Sequence, residues 1–96
     1  MIPGITTKLS EAAVASTTTI TQKTDLLRIT GTTAIATIRP NFGGGFSGIC
    51  IIVPTDGNVA TTTAGNIAVV VTMAQNRATV LVYSKKTNKW YPGAIS

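Results

Sequence analysis

Few residues in this 96-residue sequence could carry out nucleophilic, acid–base or metal chemistry. The chain has no histidine, one cysteine (Cys50) and three carboxylates, Glu11, Asp25 and Asp56. A nucleophilic cysteine needs a histidine or a strongly basic neighbourhood to lower its pKa. General acid–base catalysis needs two carboxylates held together, whereas one of these lies near the N-terminus and the others in predicted turns. The sequence therefore predicts no catalytic residue and no enzyme activity.

The sequence also has few residues that could form a metal or cofactor site. A structural zinc needs about four Cys, His, Asp or Glu ligands close together. The glycine run Gly43–Gly45 resembles a phosphate-binding loop only superficially, because no Gly-Lys-Ser/Thr follows and the loop leads into a strand. We therefore predict no metal and no cofactor, and we expect Cys50 to be a small buried hydrophobe. The flanking Phe42 and Phe46 are candidate partner-binding residues, since aromatic side chains anchor partners well.

The rest of the chain has the pattern of a small β-protein. From Thr17 onward, short β-branched segments alternate with turn residues at a spacing of roughly 8–12 residues, and no segment of useful length has a helical period. This predicts an all-β fold, a small antiparallel β-sandwich or jelly-roll-like barrel. A single β-domain is expected over residues 17–96.

Three segments are the clearest strand candidates. Ile49–Val53 is continuously apolar, which is typical of a strand buried on both faces. Ile67–Met73 is predicted as another apolar strand, and Ala78–Ser84 as the last long strand, with side chains alternating between two faces. Near the C-terminus, one of Trp90 and Tyr91 is expected to close the core while the other lies at its rim.

Residues 1–16 differ from the rest and are predicted to form an extended N-terminal arm. Pro3 and Gly4 disfavour regular structure at the start. A short helical turn over Leu9–Ala15 would not persist in water by itself. We expect such an arm to become ordered against another subunit or a partner. Its candidate anchors are the apolar residues Ile2, Ile5 and Leu9.

Size and charge restrict the partners. A domain this small, without a disulfide or a metal, gains stability by sharing a core, so self-association is expected. The formal net charge is +5, but only Lys85, Lys86 and Lys89 cluster, in a predicted hairpin turn. Nucleic-acid binders concentrate their basic residues, so a nucleic-acid-binding barrel is disfavoured and an acidic protein surface stays open as a partner. No apolar run approaches the ~18–20 residues of a membrane helix, so no membrane partner is expected.

Several short motifs lie between Leu27 and Tyr91. They are, in order, Ile29–Ile35 (ITGTTAI), Thr37-Ile38, Gly65-Asn66-Ile67, Leu81-Val82-Tyr83 and Lys89-Trp90-Tyr91. Together they resemble a β-module of tailed-phage and prophage structural proteins, which occurs in tail-fibre and spike segments and in small capsid-associated proteins. The resemblance covers about two thirds of the chain.

Within that group, the short chain favours a capsid decoration, or cement, protein. Many fibre-type relatives carry an acidic Tyr-Asp-Gly before the tryptophan, where this chain has Ser84–Asn88. The resemblance implies a homotrimer, made in the host cytoplasm and bound to the outer surface of the virion capsid. There it would bridge subunits of the major capsid protein and stabilise the shell. The alternative is a tail-fibre or baseplate β-module for receptor attachment.

Overall fold

A computed structural model describes residues 10–41 and 47–95 of the chain, and these residues form strands joined by turns, with no helix among them. The predicted all-β class is confirmed. The strands of the described residues are β1 (Glu11–Ala15), β2 (Thr19–Thr21), β3 (Leu26–Thr30), β4 (Thr37–Arg39), β5 (Gly48–Pro54), β6 (Val59–Ala60), β7 (Thr72–Met73), β8 (Thr79–Ser84) and β9 (Lys89–Ile95). Over this part of the chain, no helix has the length and apolarity to cross a membrane.

The largest sheet has five strands in the order β1-β3-β5-β8-β9. Strands β1, β3 and β5 are parallel neighbours, whereas β8 and β9 join in antiparallel fashion. Two smaller sheets pair β2 with β4 in parallel and β6 with β7 in antiparallel fashion. The sheets are therefore mixed, and the purely antiparallel arrangement predicted from the sequence is wrong. After β1 the chain crosses to the β2–β4 sheet and returns to the large sheet as β3. After β3 it crosses to the same small sheet and returns as β5, and each returning strand runs parallel to the previous one in the large sheet.

The N-terminal part of the large sheet includes residues that the sequence assigned to the arm. Glu11–Ala15 form the extended strand β1, and the short helical turn that the sequence analysis argued would not persist is absent from these five residues. As a strand, the segment pairs in register with β3, and Val14 packs against the core. A short isolated helix would lose both the ladder and this contact.

One apolar core lies between the inner face of the large sheet and the smaller sheets. Alternate residues of the strands supply it, as the period of two requires. Ile35 and Ile38 are both fully buried. The other buried apolar members are Ile20, Leu27, Ile29, Cys50, Ile52, Val59, Ile67, Met73, Leu81 and Trp90.

The segment Ile67–Met73 is largely a loop, contrary to the predicted apolar strand. Only Thr72 and Met73 are paired as a strand, and Val70 is 65% exposed. The buried hydroxyl of Thr61 holds this loop, because it accepts a hydrogen bond from the Val71 amide and donates one to the Val69 carbonyl, each at 2.9 Å.

Candidate interaction surface

The five residues predicted to bind a partner lie outside the described part of the chain. Ile2, Ile5 and Leu9 belong to residues 1–9, and Phe42 and Phe46 bound the segment 42–46. The structure therefore leaves these predictions as they stand, and the surface described below involves other residues.

Cys50 lies on the inner face of β5 and is fully buried, which confirms the expectation of a small buried hydrophobe. Burial raises the pKa of its thiol to about 12, and the negative charge of Asp25 adds to the effect. A thiol with so high a pKa is protonated at neutral pH and is a poor nucleophile.

Two of the three carboxylates have structural partners. Glu11 forms an ion pair with Arg28 on the neighbouring strand β3. Asp56 accepts a 2.7 Å hydrogen bond from the amide of Gly31, which has a positive φ of 74° and so the left-handed backbone conformation that glycine adopts readily. In the described residues there is neither a pocket nor a cluster of three metal-ligating side chains.

The most distinctive surface is the outer face of the five-stranded sheet. On the inner face of β5, Cys50 and Ile52 are buried. On the outer face, Ile49 is 44% exposed, and Ile51 and Val53 are only partly covered. Ile49–Val53 was predicted to be buried on both faces, and this prediction is wrong for the outer face of the single chain.

The apolar surface extends from β5 across the two neighbouring strands. Ile49 lies opposite Val82 of β8, and Val82 lies opposite Tyr91 of β9, which places three exposed apolar side chains in one row. A second row pairs Ile51 with Val80, which is 38% exposed. We call this surface the outer apolar face; it consists of Ile49, Ile51, Val53, Val80, Val82 and Tyr91.

Charged groups border this face rather than interrupt it. Arg28 lies opposite Val53 at one margin and is paired with Glu11. Lys89 follows the alternation of β9 to the same side as Tyr91 and lies at the other margin, where it is exposed. An apolar centre with a polar rim is the usual anatomy of a protein–protein interface.

The Trp90 and Tyr91 pair divides as the sequence analysis predicted. Trp90 is fully buried, and its ring lies 5.1 Å from that of Tyr83, centroid to centroid. Tyr91 is 41% exposed and completes the outer apolar face.

Asn66 is an important residue whose role the sequence did not reveal. Its side-chain oxygen accepts from the Ile38 amide at 2.9 Å, and its side-chain amide donates to the Ile38 carbonyl at 2.7 Å. The indole of Trp90 donates to the same carbonyl at 2.9 Å. The residue before Asn66 is Gly65, and glycine is needed there because a Cβ at that position would collide with the Ala36 carbonyl. The only sequence signal was the Gly-Asn-Ile motif, which gave no indication of these partners.

No protein-family model, no curated protein and no solved structure matches the chain.

Proposed function

We propose that the chain is a capsid decoration, or cement, protein of a tailed phage, which binds the outer shell and bridges coat subunits. The observation that carries the proposal is the outer apolar face, which includes three residues of β5, a strand whose sequence is typical of burial on both sides. Large exposed apolar patches mark interaction sites in soluble proteins. The motif resemblance supplies the class of partner, a phage coat protein.

The occupant of the outer apolar face, in this proposal, is the coat shell. A sheet surface with an apolar centre suits docking onto another folded surface, because its backbone is already ordered and loses little conformational entropy on binding. The chain has a formal net charge of +5, and its exposed Lys89 borders the face. The proposal therefore includes an acidic rim on the shell around the contact.

The proposed mechanism of stabilisation is mechanical. A subunit that contacts two coat subunits at once resists their separation, and multivalent attachment strengthens the effect without any new kind of contact. This requires no catalytic group and no bound small molecule.

A lysine placed in the outer apolar face tests the proposal. Val82→Lys puts a charge in the middle of the Ile49–Val82–Tyr91 row. We expect its affinity for shells of the parent phage that lack this protein to fall at least about tenfold, because a buried unpaired charge costs more than the ~1.4 kcal/mol that this factor represents. Co-sedimentation with the shells measures the affinity.

Val70→Lys is the matched control. Val70 is more exposed than Val82, at 65% against 47%, and lies outside the large sheet, so this variant should bind like the wild type. Equal binding by all three proteins would contradict the assignment of this face. Localisation of the chain by cryo-EM of the virion tests the wider proposal, since density on the tail would favour the receptor-attachment alternative.

A further inference from the structure

The two edges of the large sheet differ, and the difference identifies a second contact surface. At the β9 edge, the segment 66–68 covers the backbone of Trp90. The Trp90 amide donates to the Asn66 carbonyl at 2.8 Å, and the Ala68 amide donates to the Trp90 carbonyl at 2.9 Å. Pro92 follows two residues later in β9 and has no amide hydrogen to offer. This edge is therefore protected against strand addition.

The β1 edge has no such protection among the described residues. The Ser10 carbonyl and the Ser16 amide both bond to β3, at 3.0 and 2.8 Å. Because successive residues of a strand alternate the direction of their backbone groups, the amides and carbonyls of Glu11, Ala13 and Ala15 point away from β3. No residue in the described part of the chain bonds to these groups.

The side chains of β1 also leave its edge accessible. Three of its five residues are alanine, there is no proline or lysine, and its single charge, on Glu11, is paired with Arg28. Natural proteins usually protect edge strands with Pro, Lys, bulges or a covering segment. The described residues supply none of these devices at the β1 edge, and such an edge is suited to a second strand.

We propose that β1 pairs with β1 of a second copy of this chain in antiparallel orientation. The two-fold axis that relates the copies passes between their two Ala13 residues. The edge is complementary to itself in this register. Ala13 lies opposite its own counterpart, and Glu11 lies opposite Ala15 of the other copy. The three outward amides and three outward carbonyls of each strand then all find partners. The two five-stranded sheets become one continuous sheet.

Charge does not oppose this pairing, although the chain carries a formal net charge of +5. The two Glu11 residues of the pair lie about four residues apart along the strands, or roughly 13 Å, which exceeds the Debye length of ~8 Å at physiological ionic strength. Small alanines occupy the centre, so the strands approach without a steric conflict.

A charge-swap experiment tests the two-fold register. Ala13→Lys and Ala13→Glu each place two like charges opposite one another across the axis, so each variant alone should have half the wild-type mass by light scattering. An equimolar mixture of the two places opposite charges together and should restore the wild-type mass. One chain has a mass of 9.9 kDa, so the masses are readily distinguished.

Ala15→Lys is the matched control on the same strand and the same face. In the proposed register its lysine meets Glu11 of the other copy, so this variant should keep the wild-type mass. The proposal is overturned if the wild type is a monomer, or if Ala13→Lys and Ala13→Glu both retain the wild-type mass. Both Ala13 variants would keep the wild-type mass if the protein formed trimers through another surface and did not pair through β1.

Cysteine cross-linking provides an independent measurement should a charged variant fail to fold. Residues opposite one another in a hydrogen-bonded antiparallel pair have Cα atoms ~5.5 Å apart, within the range that a disulfide spans. Oxidised Ala13→Cys should therefore form a covalent dimer. Ala15→Cys should not, because its counterpart lies roughly 13 Å away. The native Cys50 is buried and does not interfere. Both readouts use the free protein, so the outcome is independent of shell binding.

Discussion

At the scale of single residues, the backbone of Ile38 joins three of the sequence motifs. On one side, β4 pairs with β2, and on the other side the Asn66 side chain takes the place of a strand. The Trp90 indole donates a hydrogen bond to the Ile38 carbonyl, which also accepts one from the Asn66 side chain. The Gly-Asn-Ile and Lys-Trp-Tyr motifs thus have a packing role at this point.

Removal of the Asn66 side chain should destabilise the fold. Asn66→Ala leaves the Ile38 amide without an acceptor in a largely buried position, which typically costs about 1–3 kcal/mol. Asn58→Ala is the matched control, because Asn58 also accepts a backbone amide, that of Gln75, but at an exposed site where water replaces it. Urea unfolding measures both. A loss for Asn66→Ala no larger than that for Asn58→Ala would contradict this account.

The thiol of Cys50 should make stability depend on alkaline pH. In the unfolded chain the thiol has its ordinary pKa of 9.0, whereas in the folded chain burial first and Asp25 second raise the pKa to about 12. The unfolded state therefore loses its proton first. The stabilisation is complete below pH 9 and is lost as the pH rises toward 12.

A comparison with Cys50→Ala isolates this effect from the lysines and tyrosines. Between pH 9 and 12, the free energy of unfolding of the wild type should fall relative to that of the variant, by up to about 1.4 kcal/mol per pH unit. The cavity left by the smaller side chain adds only a constant offset. Parallel pH curves for the two proteins would show that the thiol is not protonated in the fold as described.

At the scale of elements, local alternation predicts a strand well but not what covers it. Thr79–Ser84 has a clear period of two, and its buried and exposed positions follow that pattern. In β5, every residue from Ile49 to Val53 is apolar, so the sequence indicated burial on both faces. The described residues cover only one of these faces. β5 therefore has more apolar residues than the core can cover. This excess is a sequence signal for the outer apolar face, although the prediction of burial on both faces did not use it.

Other elements depended on contacts that a sequence pattern cannot show. Glu11–Ala15 is rich in alanine, which favours helix, yet tertiary pairing with β3 makes it a strand. Ile67–Val71 is apolar and β-branched, yet side-chain hydrogen bonds from Thr61 hold part of it as a loop. In both cases the deciding partner is distant in sequence. The parallel pairing of β1, β3 and β5 was hidden for the same reason.

At the scale of the whole molecule, the sheet face and the sheet edge can act together. A two-fold axis that relates adjacent antiparallel strands is perpendicular to their sheet, so both copies direct the same face to the same side. In a β1–β1 pair, the two outer apolar faces therefore point in one direction. If the proposed function holds, such a pair would dock on two sites of the shell at once where the sites have matching spacing. Two weak contacts held on one rigid sheet then give a much stronger attachment.

Under the proposed function and the proposed pairing, pairing should strengthen shell binding even though β1 itself would contact only another copy. Ala13→Lys alone, with the outer apolar face intact, should bind parent shells at least tenfold more weakly than the wild type, because avidity from paired sites is typically worth factors of about 10²–10⁴. An equimolar mixture with Ala13→Glu should recover the binding, and Ala15→Lys should never lose it. Co-sedimentation over a range of protein concentrations measures all four samples. If unpaired Ala13→Lys binds as tightly as the wild type, each face engages the shell singly, and the strand pairing serves some purpose other than attachment.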